Sequence, residues 1–453
     1  MITLDGERLA SAAGAQVLAS GGEGGPRRAV IDSRDIREGD LFVGLPGEHH
    51  DGGQFAADAV RRGAWGVLVS TQWGRELAMQ RRVGAREVPG WVLGTADPLA
   101  SLQSLARAWR EKLGCRVVGI TGSTGKTSVK DVCRALLPGE VRASPENFNT
   151  EIGLPLAVLA APEGTEVLVL EMAMRGPGQI AELCAIAEPD VAVVTNVGPV
   201  HVELLGSVEA IAAAKAEIID GLRAEGTAVV PAGAGPLEPY LQWAPKLLRF
   251  GAGGDVEALE VAAEAGETDA LVRAPEGEHR FKLPFVELYN LDNALAAIAA
   301  GVALGFSLGA MADRAPGIVF SRLRGELVEL PGDAILINDC YNANPISMRA
   351  ALDHLASLAA GGRRLAVLGE MRELGPGAAA YHREIGEHAR EVGVELIIGV
   401  GEMASGYGPD QQVADADAAA DALGAALGPG DAVLVKGSRA VGLERVAEKL
   451  TGR

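Results

Sequence analysis

Gly119-Ile-Thr-Gly-Ser-Thr-Gly-Lys-Thr127 decides the fold. It closes the apolar, strand-length run Arg116-Val-Val-Gly-Ile-Thr121 and opens a helical run from Ser128 to Leu137. A glycine-rich turn between strand and helix aims backbone N–H groups and the positive helix end at one spot, where phosphate binds. Gly122, Ser123, Thr124 and Gly125 form that turn. Lys126 can reach the β/γ-phosphates, the Thr127 hydroxyl can ligate Mg²⁺, and Ser128 follows at the helix start. The strict pattern wants glycine at position 120, where Ile120 stands, so Gly122 and Gly125 supply the permissive backbone. Val167-Leu-Val-Leu-Glu171 ends a second apolar strand in a carboxylate, at the edge where open α/β sheets bind ligands. After such a loop, Glu171 is a candidate Mg²⁺ ligand. No Asn-Lys-x-Asp guanine reader occurs, which favours ATP.

Outward from this centre, strand-length apolar runs alternate with helical stretches, the pattern of an α/β chain with largely parallel sheets. Strands are expected at Gly66–Ser70, Trp91–Gly94, Val191–Thr195, Thr227–Val230, Ala334–Asn338, Arg364–Leu368, Glu395–Gly399 and Ala432–Lys436. Breaks near Asp97-Pro98 and Arg322 divide the chain into three domains, 1–97, 98–321 and 322–453. Asp255 to Glu278 is acidic and interrupted by glycine, and reads as short strands and loops. The uncharged stretch Asn293–Ala312 is mostly Ala and Gly, broken by Gly305-Phe-Ser307. It reads as a buried helix and a turn, not a membrane span.

Composition bounds the function. A net charge of −19, from 41 Lys+Arg against 60 Asp+Glu, argues against nucleic acid or an anionic membrane as main partner. With 48% hydrophobic residues the chain can bury real cores. The four cysteines, Cys115, Cys133, Cys184 and Cys340, show no Cys-x-x-Cys spacing, which fits a reducing compartment. The start, Met1-Ile-Thr-Leu-Asp-Gly-Glu7, lacks the basic and apolar regions of a signal peptide. The expectation is a cytoplasmic monomer without membrane insertion.

Further strings follow the phosphate loop in order: Asn147-Phe-Asn-Thr-Glu-Ile-Gly-Leu-Pro155, Thr195-Asn-Val-Gly-Pro-Val-His201, Ala214-Lys-Ala-Glu-Ile218 and Asn290-Leu-Asp-Asn-Ala294. Their succession resembles the Mur ligases, ATP-dependent amide-bond formers of peptidoglycan synthesis. Asp32-Ser-Arg-Asp-Ile-Arg-Glu-Gly-Asp-Leu-Phe-Val43 and Pro46-Gly-Glu-His-His-Asp-Gly52 are similar to that family's UDP-sugar-binding domain. Asn338-Asp-Cys-Tyr-Asn-Ala-Asn-Pro345, Leu368-Gly-Glu-Met-Arg-Glu-Leu-Gly375 and Val435-Lys-Gly-Ser-Arg439 resemble the branch that adds D-alanyl-D-alanine. The Asp-Asn-Pro-Arg string of the lysine- or diaminopimelate-adding branch is not present.

The resemblance implies an N-terminal UDP-muramoyl-peptide-binding domain, a central ATP-binding domain and a C-terminal Rossmann-like domain for the incoming dipeptide. It implies that the carboxylate of UDP-N-acetylmuramoyl-tripeptide attacks the ATP γ-phosphate to give an acyl phosphate. The amine of D-alanyl-D-alanine then displaces phosphate. Two Mg²⁺ ions are implied, one on Thr127 and Glu171, the other on His201 and a Lys215 carbamylated by CO₂. Asn290 and Asn293 would read adenine. Many relatives have His before the first Asn, and here Tyr289 stands there. Arg324 and Asp339 would close onto ATP, with Arg322 a competing arginine. Ser33 and Arg34 are implied contacts of the UDP-sugar, Asn149 and Thr150 of the sugar-peptide, and Tyr341, Asn342, Asn344 and Ser347 of the dipeptide. The competing classes are another Mur-type amide ligase, a folylpolyglutamate or cyanophycin synthetase, and a non-catalytic nucleotide switch. The metal-ligand candidates beyond the phosphate loop disfavour the switch.

Overall fold

The computed structural model describes residues 2–83, 90–145, 147–200, 202–264, 266–358 and 361–451. Its centre is a six-stranded, all-parallel sheet in the order Lys246–Phe250, Thr227–Pro231, Val191–Val194, Arg116–Thr121, Val167–Glu171, Val141–Ala143. These strands are Val/Leu/Ile-rich because helices cover both faces of a parallel sheet. From Arg116–Thr121 the chain goes first to one edge and later to the other, so this strand is the topological switch point. A crevice opens there at the strands' carboxyl ends.

A five-stranded sheet lies N-terminal to it, in the order Gln16–Ala19, Trp91–Thr95, Gly66–Ser70, Leu41–Val43, Ala29–Val30, with only the first pair antiparallel. The C-terminal sheet runs Glu326–Leu330, Ala334–Asn338, Ala432–Lys436, Arg364–Gly369, Leu396–Val400, Gln411–Val413, with its first strand antiparallel. The α/β class and the main parallel strands follow the sequence expectation. The edge strands, two to five residues long, were not foreseen, since so few residues carry little periodicity.

Two expectations change. The segment read as loops and short strands around Asp255 to Glu278 is a regular antiparallel sheet of Glu257–Glu264, Glu267–Ala274 and Gly277–Leu283. Ala270, Val272, Ala274, Phe281 and Leu283 alternate inward. Outside, Arg280 pairs with Asp269 and Glu260, and Arg273 with Glu257, so the acidic charges find cross-strand partners. The phosphate-loop helix spans Lys126–Leu136, two residues earlier than expected, because the left-handed Gly125 ends the turn directly before it.

The uncharged stretch forms the buried helix Leu288–Ala303, a turn and the short helix Leu308–Ala312. Its alanines Ala294, Ala296, Ala297, Ala299 and Ala300 lie in one cluster with Val129, Val132 and Cys133 of the phosphate-loop helix. Small side chains there allow the two helices to approach closely. Among the described residues no helix is long and apolar enough to cross a membrane.

The helix Pro98–Leu113 starts on an Asp97 cap that accepts from the N–H of Leu99 and Ala100, with Pro98 in the first turn. Its Leu102, Leu105 and Trp109 belong to one buried cluster with Leu41, Leu68 and Leu93 of the N-terminal sheet and Leu168 and Leu170 of the central sheet. Trp109 is fully buried, and its indole N–H donates to the Ala161 carbonyl at 2.9 Å. Trp109→Ala should cost about 3–5 kcal/mol of unfolding free energy, the range for a large core truncation. Denaturant titration checks this, and a loss below about 1 kcal/mol would show that the cluster does not depend on the indole.

Candidate active site

The phosphate loop is shaped by two glycines in backbone conformations that L side chains rarely adopt. At Gly122 (φ +152°) a Cβ would fall 1.8 Å from the Thr195 hydroxyl, and at Gly125 (φ +82°) 2.4 Å from Asn293 Oδ1. The loop is held from behind by the strand end at 195–198. Ser123 N–H donates to the Asn196 carbonyl at 3.0 Å, and Thr124 N–H to Asn196 Oδ1 at 3.0 Å. The Thr195 hydroxyl donates to the Thr124 carbonyl, and Ser123 Oγ exchanges hydrogen bonds with the backbone of Gly198. The amides of Ser123 and Thr124 are therefore occupied. Those of Gly125, Lys126, Thr127 and Ser128 have no hydrogen-bond partner among the described residues and remain for an anion at the helix N-terminus.

Strand register brings the acid to the loop. Ile120 pairs with Glu171, so the carboxylate emerges beside the turn. Glu171 is 3% exposed and accepts from Thr127 Oγ1 at 2.9 Å and from Asn149 Nδ2 at 2.9 Å. A hydroxyl and a carboxylate in contact are the hard oxygen donors Mg²⁺ takes beside a phosphate. Among the described residues no group of three or more His, Cys, Asp or Glu gathers as a metal cluster.

Cations surround this pair. Lys126 Nζ donates to the Gly122 carbonyl at 2.8 Å. Desolvation lowers its pKa, Glu171 opposes that shift, and Arg324 adds to it. Arg324 Nη2 donates to Thr127 Oγ1 at 2.9 Å, and its guanidinium lies 4.0 Å from the centre of the Tyr341 ring. Arg322 points to solvent instead. Lys215, in the helix Val208–Asp220, is 3% exposed and makes no hydrogen bond or ion pair among the described residues. Desolvation, then the charge of Lys126, hold its pKa well below the ordinary lysine range.

The cavity is about 1100 Å³ and unites most of the expected residues: Ser123 to Ser128, Asn149, Thr150, Glu171, Asn293, Arg324, Asp339, Tyr341, Asn342, Asn344 and Ser347. Others lie elsewhere. Gly122 shapes the turn from behind. Asn290 is buried behind Asn293, accepting from its Nδ2 at 3.1 Å. Lys215 is not in the cavity wall. Ser33 and Arg34 sit on the 3-10 turn Ser33–Asp35 of the first sheet, away from this cavity, where Arg34 pairs with Asp32 and holds its carboxyl down at about 2. His201 lies outside the described residues.

Asn344 and Ser347 form a reciprocal capping box on the helix Pro345–Ser357, so their side chains have a structural task at the cavity rim. Two residues that were not singled out from the sequence, Asn196 and Lys436, also line the cavity, and so does Tyr289, the residue that stands before Asn290. Lys436 is 2% exposed, pairs with Asp339 at 2.6 Å and donates to the Asn342 carbonyl at 3.0 Å. Its signals were a charge ending an otherwise apolar strand and its place in the string Val435-Lys-Gly-Ser-Arg439.

Known proteins match this chain along its length. Residues 120–301 fit the model of the Mur ligase middle domain, and residues 323–439 that of the Mur ligase glutamate ligase domain. The chain is 35% identical to the UDP-N-acetylmuramoyl-tripeptide--D-alanyl-D-alanine ligase of Bacillus subtilis (strain 168), over 93% of this chain and 92% of that relative. The crystal structure of MurF from Acinetobacter baumannii superposes with a TM-score of 0.87 at 26% identity, covering 100% of both chains. That of MurF ligase from Thermotoga maritima in complex with ADP gives 0.79 at 32% identity, covering 94% of this chain and 97% of that one.

The loop geometry predicts that Gly122→Ala weakens nucleotide binding at least about tenfold, because the new methyl group displaces the Thr195 hydroxyl that holds Thr124. Calorimetric titration with ADP checks this; unaltered affinity would mean that the loop has room to shift.

Proposed function

The chain belongs to the Mur ligase family, and on that premise we propose that it joins D-alanyl-D-alanine to UDP-N-acetylmuramoyl-tripeptide, using ATP. The observation that carries this is the shared cavity. Lys126, Thr127 and Glu171 line one space with Arg324, Asp339, Tyr341, Asn342, Asn344 and Ser347, so a phosphate donor and an incoming amine can meet there. We further assign residues 1–97 to the UDP-muramoyl peptide, 98–321 to ATP and 322–453 to the dipeptide, within the cytoplasm where ATP is available.

A carboxylate and a triphosphate repel each other, so the protein's work is charge neutralisation and alignment. The free amides of Gly125 to Ser128 and the Lys126 ammonium would hold the β/γ-phosphates. Arg324, kept flat by Tyr341, brings a second cation to the same oxygens. Asn293, packed on Gly125, would face adenine, with Asn290 fixing its rotamer. Lys436 ties the Asp339 side chain to the Asn342 backbone and so sets the turn against which the dipeptide would lie. Ser33 and Arg34 remain candidates for the UDP group, at a surface separate from the cavity. Closing the three units around the substrates keeps the acyl phosphate from water.

Thr127 and Glu171 fit one Mg²⁺, and His201 with Lys215 would serve a second. Bound Mg²⁺ supplies charge neutralisation of the phosphate oxygens. The surroundings of Lys215 suit carbamylation. Burial and neighbouring Lys126 favour a neutral amine, and that form adds CO₂, releasing one proton and leaving a carboxylate-like oxygen pair. The new anion would then be offset by Lys126.

Phosphate release should require ATP, UDP-muramoyl-tripeptide and D-alanyl-D-alanine together, and release without either acceptor would overturn the assignment. Lys126→Ala should lower the ligation rate by about 10² to 10³ with an unchanged thermal midpoint, as expected for one preorganised electrostatic partner. Near-normal turnover would dismiss the phosphate-loop role.

Lys215→Ala should lose most activity and recover part of it in acetate or formate. Lys215→Arg should stay inactive, since arginine keeps its charge and does not carbamylate readily. Full activity in the arginine variant would exclude the carbamate.

A further inference from the structure

We propose that Asp131 is a positioning residue, which latches the segment between the central and C-terminal sheets so that Arg324 is delivered to Thr127. Asp131 lies one turn beyond Thr127 on the helix Lys126–Leu136, so the two side chains share a face. It is 3% exposed, and its carboxylate accepts from both the N–H of Ser321 at 2.8 Å and its hydroxyl at 2.7 Å. Lys130 Nζ, 3.7 Å away and equally buried, offsets the charge. This carboxylate does not line the cavity. Its two strong acceptor contacts go to the connecting segment.

That segment, 318–325, has no regular structure between the 3-10 turn Ala315–Gly317 and the strand Glu326–Leu330. Three residues after Ser321, Arg324 donates to Thr127 Oγ1. The connection is thus fastened twice to one helix face, Asp131 to Ser321 and Thr127 to Arg324. Between the fastenings Leu323 adopts φ +63°, a left-handed conformation that persists only where surroundings enforce it. Its carbonyl accepts from Tyr341 N–H at 3.2 Å, which registers the C-terminal unit against the same turn. Arg324 Nε is buried without a hydrogen-bond partner among the described residues. The guanidinium is therefore aimed by its backbone and by stacking on Tyr341, and the backbone is held by Asp131.

This assignment rests on the nucleotide site proposed above. The test is a double-mutant cycle on the full chain, measuring affinity for a non-hydrolysable ATP analogue with Mg²⁺ by titration calorimetry. Asp131→Ala and Arg324→Ala should each weaken binding by about tenfold, and the double variant should bind no worse than Arg324→Ala alone. Asp131→Asn, which keeps one acceptor, should recover part of the loss. A merely structural aspartate would instead give losses that multiply. If Asp131→Ala unfolds, Ser321→Ala replaces it, removing one of the two contacts. Its weakening of about two- to threefold should vanish in the Arg324→Ala background. Multiplying losses, or unaltered affinity in both Asp131→Ala and Ser321→Ala, would overturn the latch while leaving the nucleotide site standing. Unaltered affinity in Arg324→Ala would overturn both.

Discussion

The site depends on a carboxylate closed inside an apolar sheet. Glu171 ends the strand Val167–Glu171 almost fully buried, and an ionised group there is costly unless its oxygens are satisfied. Thr127 and Asn149 satisfy them. Because Thr127 lies in the first turn of the phosphate-loop helix and Asn149 follows the next strand, that one acid ties together three successive pieces of the central unit. The register Ile120–Glu171 is what permits it. A slip of one residue would turn the carboxylate to the other face of the sheet.

Around this acid the protein gathers more positive than negative charge. Lys126 and Arg324 act on Glu171 or its partner Thr127, and the charge of Lys126 is felt in turn by Lys215, although the chain as a whole carries −19. Two of the three are pushed toward their neutral forms. Such an arrangement is unfavourable in isolation and becomes favourable beside a polyanion. The amides left unpaired from Gly125 to Ser128 add to the same demand.

The C-terminal unit meets the nucleotide loop through few side chains, and each has a partner that sets its direction. Arg324 lies on Tyr341, and Asp339 is paired with the buried Lys436. The connecting segment is held by Asp131. Away from the loop the two units also meet where His354 lies 3.5 Å from Glu287 and edge-on to the Tyr289 ring.

Much of this was legible in the sequence. Apolar runs of strand length located the main parallel strands, and the glycine-rich string with Lys126 and Thr127 located the turn between strand and helix, because both signals are local. Glu171 was found by the same logic, as a charge ending an apolar strand. What stayed hidden was set by contacts distant in the chain. Asn196 holds the loop through pairing of the strands Arg116–Thr121 and Val191–Val194, and Lys436 meets Asp339 across 97 residues. Whether Arg322 or Arg324 turns inward hangs on the left-handed Leu323 and on Ser321 meeting Asp131 190 residues earlier. The order of residues determined which chemistry was available and on which elements it sat. Only the folded chain decided which side chains meet, because strand register and the path between sheets are fixed by packing summed over the whole molecule.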